Sequence, residues 1–445
     1  MMFRVFFVLF LVFSCTPIYE TDWPLFPIAR GNWLKVDTYG GSLEDVAHSV
    51  IITQDGGFAI IGNTQSTDND FVSKIREGSD FFVMKFDANA VVEWTQTYGG
   101  EDDDRGYDMI QLEDEGFALI GYSKSEDGDA SSNQGQHDNW LLRTDNRGNL
   151  LWEKSFGFLG HDHAYSIIKT SDGGIFFNGF LDVTASEGEG NFNKQSNSKK
   201  KHGVGEFWCH KLDQHGNLQW SRYYGGKSND RSYDAIETKD GDFLIVGTSE
   251  SQDVDIEYPR GGYDIWVIKI DSMGSLIWEK SVGGSGYDGA EAVIENRQGD
   301  YVVLGQSFSQ DGDFKKGKGS SDIVIVTLTP EGIVKSTQNI GGDGFETGKS
   351  ILERPDGTLI VLGHYSSLIL DKGENPMSNN IILINTLPNG SPINSYSLEG
   401  NGLDIGYASA FFKDGRVVIV GSTESTSGDF PKVRGEKDIF LAFWH

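Results

Sequence analysis

Residues 49–63 read Ser-Val-Ile-Ile-Thr-Gln-Asp-Gly-Gly-Phe-Ala-Ile-Ile-Gly-Asn. Two apolar, β-branched runs flank Asp55-Gly56-Gly57. Asp-Gly tolerates the positive φ of a tight hairpin turn, so the stretch is predicted to form two antiparallel strands, Ser49–Gln54 and Phe58–Asn63. The same punctuation returns at Asp114-Glu115-Gly116, Asp172-Gly173-Gly174, Asp240-Gly241, Gln298-Gly299, Asp356-Gly357 and Asp414-Gly415. The intervals are 59, 58, 68, 58, 58 and 58 residues. Seven residues after each anchor stands a glycine: Gly62, Gly121, Gly179, Gly247, Gly305, Gly363 and Gly421. Seven copies of one period mark a repeat architecture.

Each unit continues through a long loop into a third strand: Asp80–Phe86, Asp138–Thr144, Glu206–Leu212, Asp264–Ile270, Asp322–Leu328, Asn380–Thr386 and Asp438–Phe443. A turn of the form Asp-x-x-Gly, as in Asp145 to Gly148, leads to a fourth strand. That strand carries Trp94, Trp152, Trp220 or Trp278 and ends in Gly-Gly. Third strands such as Ile265-Trp266-Val267-Ile268 are apolar at consecutive positions, which calls for burial on both faces. Four-stranded sheets stacked face to face around an axis provide that burial. The expected fold is therefore an all-β, seven-bladed β-propeller. The last repeat ends after its third strand, and a spare fourth strand lies at Trp33 to Gly41. Pairing of that N-terminal strand into the C-terminal blade would close the ring.

The pattern resembles the glycine-rich propeller repeats with an Asp-Gly-Gly hairpin in envelope proteins of Bacteroidetes-type bacteria, and more loosely the delta-60 repeat. The resemblance covers residues 31–445 and implies a propeller without a defined activity. Gly-Asn-Leu-x-Trp (Gly148 to Trp152, Gly216 to Trp220) also resembles repeats of quinone-cofactor propellers and their non-enzymatic lipoprotein relatives. Those repeats are shorter and usually eight, and this chain has no adjacent cysteine pair.

Composition narrows the partners. The chain has 445 residues, 57 glycines, two cysteines and a formal net charge of −29. Such acidity repels phosphate, so nucleic acid is excluded as an expected partner. Two cysteines cannot staple a fold of this size. Residues 1–15 show a basic residue, an apolar run from Val5 to Phe13 and Ser14-Cys15, which is the layout of a secretory signal. Val12-Phe13-Ser14-Cys15 resembles a lipoprotein lipobox, with Cys15 as the lipidated residue. The expected layout is a signal at 1–15, a tether at 16–30 and the propeller at 31–445. The protein would be a monomer of the cell envelope, in the outer membrane or on the cell surface, touching membrane only through its anchor. Without the anchor it would be secreted or periplasmic.

Candidate chemistry belongs at the end of the propeller that carries the long loops and the Gly-Gly loops. Ten residues before each hairpin anchor stands an acid: Asp45, Asp104, Asp162, Asp230, Asp288, Glu346 and Asp404. These acids are expected to ring the channel mouth, where calcium would suit them, or to accept backbone N–H groups locally. No cofactor is required by any motif. Long loops open with Ser-x-Asp-x-Asp (Ser66 to Asp70 and its copies), either a second calcium-type motif or turn chemistry. Repeat three adds ten residues, including the basic Asn197 to Lys201, and reads His161-Asp162-His163. Two histidines flanking an acid form an alternative metal site, although no third histidine stands close by in sequence. His210 is expected to be a satisfied buried histidine or one at a blade surface, and Cys209 an inert core thiol. Lys85, Arg143, Lys211 and Lys269 recur mid-strand and need acid partners or a route to solvent. The expected role is binding or scaffolding through the loop-rich face, with a glycan or envelope protein as partner. The alternative is a hydrolase or lyase acting on polysaccharide.

Overall fold

The computed structural model describes residues 28–30, 33–192, 202–366, 378–431 and 433–445. The signal and most of the tether, and the basic stretch of the repeat-three loop, lie outside the described residues. Seven antiparallel sheets of four strands follow one another in order around a ring. Blade 1 comprises Asp45–Ile52, Phe58–Thr64, Asp80–Phe86 and Val92–Tyr98. Blades 2 to 6 repeat this order. Blade 7 comprises Asp404–Phe411, Val417–Thr423 and Asp438–Trp444, completed on its outer edge by Trp33–Tyr39. Tyr39 lies opposite Ile439 and Trp33 opposite Trp444, so the ring closes as the spare strand implies. No described helix is long and apolar enough to cross a membrane.

The core is distributed. Each of seven apolar clusters spans two neighbouring blades, including the pair blade 7 and blade 1. In blade 4, Ile245, Trp266 and Ile268 pack toward blade 3, while Leu244, Val246 and Val267 pack toward blade 5. Alternate side chains of one strand point to opposite faces, and both faces are dry. This is why the third strands lack a polar alternation.

Two expectations are corrected. The innermost strand of blade 1 runs over Asp45–Ile52, not Ser49–Gln54. Its ladder with Phe58–Thr64 slips between Ala47 and Ser49, which makes His48 an extra residue. The same slip occurs in all seven innermost strands. A bulge of this kind breaks the period-2 alternation that sequence reading relies on. In addition, Ile28–Arg30, at the end of the expected tether, pairs in parallel with Ser395–Ser397 as a fifth strand of blade 6.

The mid-strand bases find their acids in the hairpin turns. Lys85 Nζ lies 2.8 Å from Asp55, Lys211 3.0 Å from Asp172 and Lys269 2.7 Å from Asp240, and Arg143 pairs with Asp114. The hairpin acid therefore serves the third strand as well as its own turn, where Gly56 takes φ 86°. The tryptophans pack between blades: a Cβ on Gly216 or Gly274 would lie within about 3.1 Å of the Trp152 or Trp220 ring.

Candidate functional site

The seven acids that open the innermost strands do not converge on the channel. Each is at most 1 % exposed and sits beneath its own glycine loop. Asp104 accepts Gly100 N–H at 2.8 Å, Ser125 Oγ at 2.8 Å and Ser123 Oγ at 2.5 Å. Asp45, Asp230 and Asp288 repeat this pattern. Asp162 accepts the N–H groups of Phe158 and Asp182, Glu346 accepts Gly342 N–H, and Asp404 accepts the hydroxyls of Thr423 and Ser425. The Ser-x-Asp-x-Asp carboxylates cap the same loops: Asp68 and Asp70 accept Ser42 N–H and Gly40 N–H. Arg434 bridges to Asp70 at 2.6 Å and Arg76 to Asp129 at 3.4 Å, which ties neighbouring blades.

Six of the seven opening acids also face the acid that starts the third strand of the preceding blade; Asp404 follows a blade whose third strand starts with Asn380. A Cβ at Gly99 would lie 2.8 Å from both Asp104 Oδ2 and Asp80 Oδ1, so only glycine fits between them. Burial pushes Asp80 up to about 7, with Asp104 adding to the rise. Burial also pushes Asp138 to about 6, Asp162 to about 7, Glu206 to about 10 and Glu346 to about 8. One oxygen of each of Asp80, Asp138, Asp264 and Asp322 is buried without a hydrogen-bond partner among the described residues.

The channel wall comes from the bulge residues, a set the sequence reading passed over. His48, Tyr107, Tyr165, Tyr233, Glu291, Lys349 and Tyr407 stand at this position in blades 1 to 7 and line a common cavity. Rings touch around the wall: His48 lies 4.8 Å from Tyr107 and 4.9 Å from Tyr407, Tyr107 lies 4.9 Å from Tyr165, and Tyr165 lies 5.4 Å from Tyr233. Glu291 and Lys349 pair at 2.7 Å. Burial holds His48 down at about 4, so its imidazole is neutral. The signal was present in the sequence as the residue seven before each hairpin anchor.

The rim at the loop-rich end is asymmetric. At blades 4 to 6 it carries a run of aromatic rings. Tyr263 lies 5.4 Å from Tyr287, Tyr287 lies 5.9 Å from Phe308, and Phe308 lies 6.3 Å from Phe345. Phe308 and Phe345 are 42 % and 44 % exposed. At the junction of blades 2 and 3 it carries three histidines. His137 Nδ1 lies 2.8 Å from His163 Nε2 and 3.1 Å from His161 Nδ1. His161 and His163 are thus joined by a partner from the preceding blade, 24 residues from His161 and 26 from His163. An isolated parallel bridge between His137 and His161 aligns the two chain segments. Burial, with neighbouring imidazoles, holds His137 at about 4 and His163 at about 3. His161 is exposed.

His210 is buried as expected but is not satisfied. Neither ring nitrogen has a hydrogen-bond partner among the described residues, and the ring stacks on Phe177 at 4.4 Å. Cys209 is fully buried, and burial pushes its thiol far up.

No family model and no curated protein matches this sequence. Solved propellers resemble the fold. The WD40 domain of Neurospora crassa Pan2 is 10 % identical with a TM-score of 0.46, covering 90 % of this chain and 89 % of that one. BamB from Moraxella catarrhalis is 11 % identical with a TM-score of 0.40, covering 92 % and 85 %. The propeller domain of the Trilobed protease from Pyrococcus furiosus is 9 % identical with a TM-score of 0.44, covering 91 % and 94 %. With identities near one residue in ten, the site residues stand on their own geometry.

Proposed function

We propose that this chain is an exported, lipid-anchored binding or scaffolding module of the cell envelope that engages a glycan through its loop-rich face. The observation that carries this reading is the aromatic run on the rim, in which half-buried Tyr263 and Tyr287 lead to exposed Phe308 and Phe345. Neighbouring apolar rings open to solvent, here Phe308 and Phe345, mark a surface for a partner to cover. Aromatic faces stack against the C–H faces of sugar rings. Anchoring through Cys15 rests on the apolar run and lipobox-like residues of positions 1–15. The functional unit is taken as the monomer, because one chain closes the ring.

The test is a glycan array probed with the full chain and with Phe308→Ala and Phe345→Ala. Both side chains are exposed, so the fold should survive. Loss of a defined glycan signal in both variants is the expected result. Capture of one envelope protein, abolished by the same variants and with no glycan bound, would replace the glycan by a protein partner. Retention of all binding by both variants would remove this surface from the reading. Incorporation of a fatty-acid label that Cys15→Ser abolishes tests the anchor. Cleavage of polysaccharide is the second reading. Among the described residues, its basis is the histidine group at the junction of blades 2 and 3.

A further inference from the structure

The propeller repeat explains most of the polar groups on the rim, but not the three histidines. The paired positions at five of the six other junctions hold Ser79 with Asp103, Tyr263 with Tyr287, Ser321 with Phe345, Asn379 with Leu403, and Glu44 with Lys437. The fold asks only for a backbone bridge there, and it accepts polar, apolar and charged side chains. Three imidazoles at one junction are a property of this site, not of the architecture.

Hydrogen bonding alone does not account for their arrangement. His137 Nδ1 is close to two other ring nitrogens. A ring nitrogen offers either one N–H or one in-plane lone pair. It can serve one of these partners well and leaves the other contact poorly matched. All three ligand atoms lie within 4.8 Å of one another. Zinc binds imidazole nitrogen at about 2.0–2.1 Å in a tetrahedral shell, which separates its ligand nitrogens by about 3.3 Å. The two short contacts, 2.8 and 3.1 Å, fall a few tenths of an ångström below that separation, and a small rotation of His161, the exposed member, would even out the third.

The surroundings orient the rings as the outer partners of a metal site do. His163 Nδ1 lies 3.2 Å from Tyr165 Oη, which leaves Nε2 as the nitrogen aimed at His137. The Tyr122 ring stacks on His137 at 4.5 Å and on His163 at 4.2 Å, and its hydroxyl donates to Asp103 Oδ2 at 2.9 Å. Two ligands are therefore fixed by packing. The third is open to solvent.

We infer that His137, His161 and His163 form a three-histidine site for a divalent transition-metal ion of the zinc type. Imidazole donors suit zinc, copper, nickel and iron, and exclude calcium and magnesium, which take oxygen. Three protein ligands leave a fourth position for water or a ligand donor, the arrangement of sites that act on bound molecules and not of purely structural ones. The inference is independent of the glycan reading, since the aromatic run lies on other blades.

The test uses the full chain without a polyhistidine tag, stripped with chelator and titrated with cobalt(II). One equivalent should produce the intense visible bands of four-coordinate cobalt, and zinc should bleach them. His161→Ala removes an exposed ring, so the fold should stand, and affinity should fall at least about tenfold, the smaller of the losses seen even for outer-shell changes. His137→Ala should abolish the bands, with circular dichroism confirming the fold. Absence of bands at sub-millimolar cobalt, or bands that His161→Ala and His137→Ala both leave unchanged, would overturn the site. Loss of metal binding in the histidine variants with glycan binding intact would uphold it, and a full chain that binds metal but no glycan at all would count only against the proposed function.

Discussion

Asp138→Asn tests the buried carboxylate pairs. Asp138 Oδ2 accepts Gln134 N–H at 2.8 Å, while Oδ1 is buried without a partner among the described residues. Burial raises its pKa to about 6, against about 3.9 in an unfolded chain. Below pH 4 the carboxyl is protonated in both states and burial carries no ionic cost. Between about pH 4 and 6 the unfolded chain ionises more readily than the folded one, so stability falls as pH rises. Above pH 6 the loss is complete. Two pKa units correspond to about 3 kcal/mol, trimmed to about 2 kcal/mol by water reaching the adjoining turns. Asparagine keeps the shape and cannot ionise. Blade 6 already carries this residue at the equivalent position, where Asn380 Oδ1 accepts Gly400 N–H at 3.0 Å. Asp138→Asn should thus stabilise the protein at pH 8 by about 2 kcal/mol, a rise of roughly 2 °C in Tm for a domain of this size, and by less than about 1 kcal/mol at pH 4.5. Denaturant melts of both proteins at the two pH values measure this. Added salt should leave the difference intact, because it screens surface repulsion and not buried groups. A variant less stable than its parent at pH 8 would refute the reasoning, for it would mean that the ionised carboxylate is held by a cation.

Other outcomes follow from the same geometry. Asp172→Asn should cost about 1–2 kcal/mol, because Lys211 keeps its ammonium buried with Leu212 O as its remaining acceptor, and Lys211→Met in the same chain should recover most of the loss in a double-mutant cycle. Native protein should show no titratable thiol from Cys209 until denaturant is added, measured with a chromogenic disulfide reagent. Deleting Trp33–Tyr39 should lower the melting temperature and promote aggregation, because it uncovers the edge of Asp438–Trp444, and an unchanged melt would refute closure by that strand. Millimolar calcium should shift Tm by less than about 1 °C, since the opening acids already hold backbone and hydroxyl donors; a site a hundredfold saturated would add about 2.7 kcal/mol.

The sequence by itself determined the repeat, the blade count, the order of strands and the closure. Local physics sets each of these: turn glycines need positive φ, doubly buried strands need continuous apolar runs, and a missing fourth strand needs a donor. It also determined that Lys85, Lys211 and Lys269 require acids, because a buried ammonium cannot stand alone. Only the tertiary structure decided what faces what. The bulge at His48 and its six counterparts turns one side chain per blade into the channel. No rule of alternation predicts that turn, because a bulge shifts the face by one residue. The opening acids look like a ring when counted along the chain, yet each is drawn under its own loop by backbone donors. His137 joined His161 and His163 because the start of a third strand lies beside the start of the next blade, a neighbour relation set by packing between blades.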